Sequence, residues 1–321
     1  MPVVIRAISD LKSFLMNRTE SNVHKGTSLM PNATKSLIGF VPTMGFLHTG
    51  HLSLVKRSTA ECHTTVVSIF VNPKQFGINE DFARYPRDLD RDIKLLSDYN
   101  VDVVFHPDYD EMYPSGFKTF VEIEKISNLY CGESRTGHFK GVATIVNKLV
   151  NIIKPNFMYM GEKDFQQVYI LEQMLRDLNL QTKIVRCHII RENDGLAMSS
   201  RNVYLLNEQR QHALCLHKAL LLALELYNKG ECDTRVIKKE MIKLIQNTTP
   251  PSSTNETDHI SIEYIAFINE QSFEAVDFLD KDSRILIAVK IGKTRLIDNM
   301  KIEINRYCGD YSQPSIAIKD V

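Results

Sequence analysis

From residue 37 to residue 190 the chain alternates between short apolar runs and stretches with helical spacing, and nothing else in it limits the fold so strongly. Leu37 to Val41 is an apolar run followed by a helical pattern at Leu52, Val55, Thr59 and Cys62. Thr64 to Val71 is a β-branched run of the kind found in strands buried on both faces, and it stops at the turn signal Asn72-Pro73. Leu89, Ile93 and Leu96 keep helical spacing inside the charged segment Glu80 to Asp98, and Val101 to Phe105 is a short strand closed by His106-Pro107. Val142, Ile145, Val146, Leu149 and Ile153 trace a helix face that ends before Pro155, and Phe157 to Met160 is the next strand. Val168, Leu171, Leu175 and Leu178 mark another helix, and Thr182 to Ile190 another strand. Alternation of this kind predicts an α/β fold, a doubly wound parallel sheet whose ligands lie beyond the carboxyl ends of the strands.

Beyond Arg201 the texture changes. Glu208 to Lys229 and Asp233 to Gln246 read as helices, and Ile260 to Ile268 and Arg284 to Ile291 alternate like half-buried strands. The 321 residues therefore divide into a Rossmann-like domain over 1–188 and a second, smaller α+β domain over 189–321 that carries the Met198 to Asn202 segment. Asn247 to Asp258 has too little apolar content to pack and is expected to be a mobile loop, and Ser21 to Lys35 a surface insertion. No internal repeat is evident.

Lys plus Arg equals Asp plus Glu at 39 each, so no basic stripe invites a long nucleic-acid partner. The six cysteines form no C-x-x-C pair, which argues against zinc and for reduced, structural thiols. Met1 to Arg6 lacks a secretory apolar region, and no apolar run approaches a membrane span. Arg6, Lys12, Arg18 and Lys25 leave a transit peptide open, but Asp10 and Glu20 count against it, so the expected location is cytoplasmic.

Two segments carry chemistry. Pro42-Thr43-Met44-Gly45-Phe46-Leu47-His48-Thr49-Gly50-His51 lies between the first apolar run and a helix start. Its two histidines, three apart, fall on one face of the first turn. A helix N-terminus offers unpaired N–H groups and a positive partial charge, and Gly45 and Gly50 admit a phosphate close to the backbone, so a triphosphate is the natural ligand. The H-x-G-H spelling resembles the adenylate-forming nucleotidyltransferase superfamily, which includes class I aminoacyl-tRNA synthetases. Met198-Ser199-Ser200-Arg201 is similar to the second, mobile phosphate loop of that superfamily, which ends in a cation.

Three further clusters lie between these motifs, each at a strand end: Phe70 to Phe76, Gly137 to Val142, and Gly161 to Gln167. With all five in order, the chain resembles the pantoate–β-alanine ligase (pantothenate synthetase) family, densely over residues 37–206. The resemblance implies a two-step reaction. Pantoate and ATP give pantoyl adenylate and pyrophosphate, and β-alanine then gives pantothenate and AMP. It implies ATP contacts from Met44, Gly45, His48, His51, Gly161, Glu162, Lys163, Asp164, Ile190, Met198, Ser199, Ser200 and Arg201, with Asp164 near the ribose. His51, His48, Lys163 and Arg201 are the implied catalytic group. His51 has a proton-donor role in the family, and a neutral imidazole at a helix N-terminus can equally stabilise the transition state by donating one N–H. Gln75 and Gln167, each with an amide donor and acceptor, are implied to hold pantoate, assisted by Asn72. Pro42, Phe76 or Met44 are expected as apolar walls. Mg²⁺ is expected on the phosphates, with its protein ligands unassigned, and the partners are pantoate, β-alanine and a second copy in a homodimer, with no nucleic acid and no membrane.

Thr136, in Arg135-Thr136-Gly137-His138, stands where many relatives carry proline. Lys74, Glu80, Arg87, Asp88, Arg91 and Asp92 read as a solvated helix face. A nucleotidyltransferase acting on a phosphorylated acceptor is the alternative; it accounts for the histidines but not for the glutamine pair. An RNA-binding remnant of a synthetase fold lacks the basic and aromatic surface it needs.

Overall fold

The structure is a computed structural model that describes residues 1–25, 36–78, 80–248 and 259–302. Its first compact unit is Met1–Leu205. In chain order this contains β1 (Val3–Ile5), α1 (Ile8–Lys25), β2 (Ile38–Thr43), α2 (Thr49–Glu61), β3 (Thr64–Ile69), α3 (Leu89–Ser97) and β4 (Val103–Phe105). The one-turn helices α4 (Tyr109–Met112) and α5 (Cys131–Ser134) follow, then α6 (His138–Ile153), β5 (Phe157–Gly161), α7 (Phe165–Asp177) and β6 (Lys183–Cys187).

The six strands pair in the order β1-β4-β3-β2-β5-β6, and every pairing is parallel. From β2 the chain winds outward through β3 and β4, then crosses back to place β5 and β6 on the other side of β2. The winding direction thus reverses between β2 and β5, where an open α/β sheet has its ligand crevice. Pro42 helps to open it. Pairing of β2 with β5 runs through Gly39 and Phe40, and Pro42, two residues on, has no N–H to continue a ladder.

Neighbouring residues along the strands enter different cores. Phe40, Val66 and Met158 pack with Leu11 and Leu15 of α1, Val142 to Ile153 of α6 and Val168 to Leu175 of α7. Val41, Val67 and Tyr159 pack with Leu52, Leu54 and Val55 of α2 and with Leu96. This two-sided burial explains why β3, apart from Ser68, is apolar or β-branched with no polar-out alternation: all six of its residues are buried.

The second compact unit, Leu206–Val321, contains α8 (Asn207–Ala213), α9 (Cys215–Asn228) and α10 (Thr234–Gln246), then the antiparallel sheet β7 (Ile260–Asn269), β8 (Ser283–Ile291) and β9 (Thr294–Lys301). The stretch from Glu208 to Lys229 is two helices rather than one. Strands β1 and β9 were not expected from the sequence.

The boundary falls after Leu205, not after 188, so the Met198 to Asn202 segment belongs to the first unit. The reason is local: a bridge between Arg191 and Ala197 folds the chain back, and Met198 N–H bonds to Ile190 O at 2.9 Å. Ser21 to Lys25 continue α1 instead of starting an insertion; 26–35 and 249–258, the rest of the two expected loops, lie outside the described residues, as does Cys308. Cys62, Cys131, Cys187 and Cys215 are buried free thiols. Cys232 departs from the expectation of reduced thiols in being disulfide-bonded, a pairing that spacing along the chain does not reveal.

Candidate active site

The turn after β2 is held in a costly shape. Gly45 has φ +82 and Phe46 has φ 50, a left-handed region that a phenylalanine rarely adopts. Asp92 on α3 compensates: fully buried, it accepts hydrogen bonds from Phe46 N–H at 2.6 Å and Leu47 N–H at 2.8 Å. Burial pushes its carboxyl above the usual range in spite of those two donors. Thr43 Oγ1 accepts from Gly45 N–H at 3.1 Å, and the Arg91 guanidinium stacks 4.8 Å from the Phe46 ring while donating to Leu47 O at 3.0 Å. Arg91 and Asp92 are therefore a clasp on this turn; Asp92 is buried away from the expected solvated face, whereas Arg91 stays exposed on it. Glu80 leaves that face too, because both its oxygens pair with Arg135, at 2.8 and 2.6 Å.

His48 caps α2 and His51 lies in its first turn, with ring centroids 4.0 Å apart. His48 N–H donates to His51 Nδ1 at 3.4 Å, so in a neutral His51 the ring proton is on Nε2. Burial, aided by Lys163, lowers the His48 pKa to about 4. Burial also holds His51 well below the usual value, reinforced by His48 and Lys163. Both rings are thus neutral near pH 7, able to donate one N–H each without carrying charge.

Gly161 ends β5 at the same crevice, and the following turn brings Lys163 Nζ to 3.6 Å from Asp164 Oδ2. From the later loop, Ser200 Oγ donates to Phe46 O at 3.2 Å, fastening the two motifs together. Ser199 Oγ caps the turn by accepting from Arg201 N–H at 3.3 Å. The Arg201 guanidinium is forked onto Asp81, Nε to Oδ2 at 2.9 Å and Nη2 to Oδ1 at 2.8 Å, and lies 5.6 Å from the Tyr85 ring centre. Although burial raises it, the Asp81 carboxyl is held below its usual pKa by the hydrogen bonds and charge of Arg201.

One cavity of about 210 Å³ gathers nearly all the candidates: Met44, His48, His51, Asn72, Gln75, Gly161, Lys163, Asp164, Gln167, Ile190, Met198, Ser199, Ser200 and Arg201 line it. Two do not. Gly45 faces a separate cavity on the other side of the turn, and Glu162 turns toward His188, 3.8 Å away. Of the expected apolar walls, Pro42 and Met44 are present, while Phe76 packs instead on Phe82 and Tyr85. Phe70, Val142, Val146 and Leu149 add to the apolar lining.

Asp81, Asp92, Tyr85 and Tyr113 were not foreseen. Among the described residues no three His, Cys, Asp or Glu side chains are placed to hold a metal ion. A cavity with cations, neutral imidazoles, two glutamines and an apolar wall can bind a polyphosphate beside a small hydroxy acid.

The model of one protein family, pantoate-beta-alanine ligase, matches residues 12–301. The chain is 48% identical to the pantothenate synthetase of Thermotoga petrophila, covering 92% of this chain and 98% of that one. It is 49% identical to that of Acetivibrio thermocellus, covering 94% and 99%. Among solved structures it resembles pantothenate synthetase from Thermus thermophilus, with TM-score 0.79, 37% identity and coverage of 93% and 99%. It also resembles pantoate-beta-alanine ligase from Francisella tularensis in complex with beta-gamma ATP and beta-alanine, with TM-score 0.73, 34% identity and coverage of 95% and 99%.

Proposed function

The chain belongs to the pantoate–β-alanine ligase family, and from that premise we propose how its cavity works. It is an ATP-dependent ligase that joins pantoate and β-alanine into pantothenate. In the proposed sequence a pantoate carboxylate oxygen attacks the α-phosphorus of ATP, the bond to the bridging oxygen breaks, and pyrophosphate leaves. The β-alanine amine then attacks the acyl carbon of pantoyl adenylate, loses a proton and displaces AMP.

The observation that supports this most is convergence. His48 and His51 after β2, Gln75 after β3, Lys163 and Gln167 after β5, and Arg201 from the later loop line one cavity although they span most of the first unit. In adenylate formation negative charge builds on the oxygens around phosphorus, so preorganised donors there lower the barrier. His51 Nε2–H and His48 are assigned that role as neutral donors, and Lys163 and Arg201 as cations. Met44, Gly161, Asp164, Ile190, Met198, Ser199 and Ser200 frame the nucleotide, and Gln75 and Gln167 take pantoate. Gly45 contributes through the shape of the turn and Glu162 from just outside the cavity.

Mg²⁺ fits a site without a ready-made carboxylate cage, because it keeps several waters and is held chiefly through phosphate oxygens; when bound it neutralises phosphate charge. We extend the proposal to a cytoplasmic homodimer of two-domain subunits; no helix among the described residues is long and apolar enough to cross a membrane, and sedimentation equilibrium measures the stoichiometry. The reaction is tested by end-product analysis with ATP, pantoate and β-alanine. AMP together with pantothenate is the expected result, whereas ADP or a nucleotide-linked product would overturn the proposal.

A further inference from the structure

Asn72 lines the cavity, yet only 1% of its surface is exposed and its side chain has no hydrogen-bonding capacity left. An asparagine amide offers two donors and two acceptor positions. Nδ2 donates to Gly141 O at 3.1 Å and to Gln75 Oε1 at 3.0 Å. Oδ1 accepts from Lys74 N–H at 3.3 Å and from Tyr113 O–H at 2.9 Å. Two of these four partners are main-chain atoms, a carbonyl that can only accept and an N–H that can only donate. They leave one orientation for the Asn72 amide, with its nitrogen toward Gly141 and its oxygen toward Lys74.

That orientation propagates. The second Nδ2 hydrogen must go to the oxygen of the Gln75 amide, so Gln75 Nε2 is the end left to the cavity, where its nearest partner is the weak acceptor Met44 Sδ at 3.1 Å. Tyr113 adds to the hold: burial raises the pKa of its phenol, which therefore remains a donor to Asn72 Oδ1. The Gln75 main chain is secured separately, its carbonyl bonded to His138 Nδ1 at 2.8 Å, and His138 Nε2 lies 2.9 Å from Arg135 Nη1. Close packing is possible because residue 141 is glycine; a Cβ there would run into the Lys74 carbonyl.

We infer that Asn72 is a positioning residue, not a ligand for the acid: it turns the Gln75 amide so that an NH₂ group, and not a carbonyl, meets pantoate. A carboxylate and hydroxyl oxygens accept hydrogen bonds from that NH₂, whereas an inverted amide would set its oxygen against the carboxylate. The inference rests on the reading of Gln75 as a pantoate-binding residue.

A double-mutant cycle separates the two. Gln75→Ala and Asn72→Ala are each expected to raise the pantoate KM about tenfold, the effect of one lost or reversed hydrogen bond in a buried site, with the ATP KM unchanged. The double variant is expected to match Gln75→Ala to within about twofold, because Asn72 acts only through Gln75. If the two effects multiply, Asn72 has its own contact with substrate and the inference fails while the Gln75 reading stands. If Gln75→Ala alone leaves the pantoate KM unmoved, the Gln75 reading fails and the inference with it. Asn72→Asp keeps the size and both acceptor contacts and removes the donor, so it serves the same comparison if the alanine variant does not fold.

Discussion

Arg201 and Asp81 form a two-pronged ion pair, with Nε and Nη2 at 2.9 and 2.8 Å from separate carboxylate oxygens, at the edge of the cavity assigned to the nucleotide. In the proposed site the carboxylate offsets the charge that Arg201 would bring to a phosphate, and its two bonds hold the guanidinium still. Arg201→Ala is expected to slow adenylate formation by about 10²–10³, the range for one preorganised electrostatic donor. It also leaves Asp81 unpaired beside the phosphates. Arg201→Ala with Asp81→Asn should therefore bind ATP more tightly than Arg201→Ala alone, as measured by ATP KM in pyrophosphate exchange; equal values would mean that Asp81 does not face the nucleotide.

Lys163 lies 3.6 Å from Asp164 and lines the same cavity. Lys163→Ala is expected to lower the exchange of labelled pyrophosphate into ATP by about 10²–10³ while leaving the fold intact. In the unaltered protein that exchange should require pantoate and proceed without β-alanine, since adenylate formation is reversible by itself. A strict need for β-alanine would rule out the stepwise scheme.

Acid should weaken the fold through His48. Its folded-state pKa of about 4 lies below the ordinary histidine value of 6.5, so between those values the unfolded chain binds the proton and the folded chain does not. Stability is therefore full above the unfolded value, declines as pH falls below about 6.5, and stops declining from this source below about 4. Urea midpoints across this range should fall with pH, and His48→Gln should flatten the slope. An unchanged slope in the variant would assign the acid sensitivity to other groups.

Gln75→Ala and Gln167→Ala are expected to raise the pantoate KM about tenfold or more and to move the ATP KM little, a loss of about 1–3 kcal/mol for each unmet partner. Steady-state kinetics with each substrate varied in turn makes the comparison. ATP KM values that rise in parallel would transfer the glutamines to the nucleotide site.

What was legible in the sequence was local. The run Thr64 to Ile69, buried throughout, is recognisable because two-sided burial suppresses alternation, and the H-x-G-H turn because its residues act on what lies next to them. β1, three residues long, carries too little pattern to detect, and β9 follows a tight turn at Gly292-Lys293, which lacks the Asn-Gly or Asp-Gly spelling of a strong hairpin signal. The distant partners were hidden for another reason. Asp92 bonds to an N–H 46 positions away and Arg201 to a carboxylate 120 positions away. Along the chain, an acid turned to solvent and an acid turned to a loop look the same.

The reversal of winding between β2 and β5 also bears on how the protein is made. The histidine turn emerges early in synthesis, but the strand that becomes its neighbour across the crevice begins at Phe157, and the last residue of the cavity wall is Arg201. A nascent chain released before that point can contain both histidines and still lack the opposite wall, because domains of this kind assemble from contacts far apart in sequence. No amino-terminal fragment that ends before Arg201 therefore has the whole cavity proposed for the nucleotide.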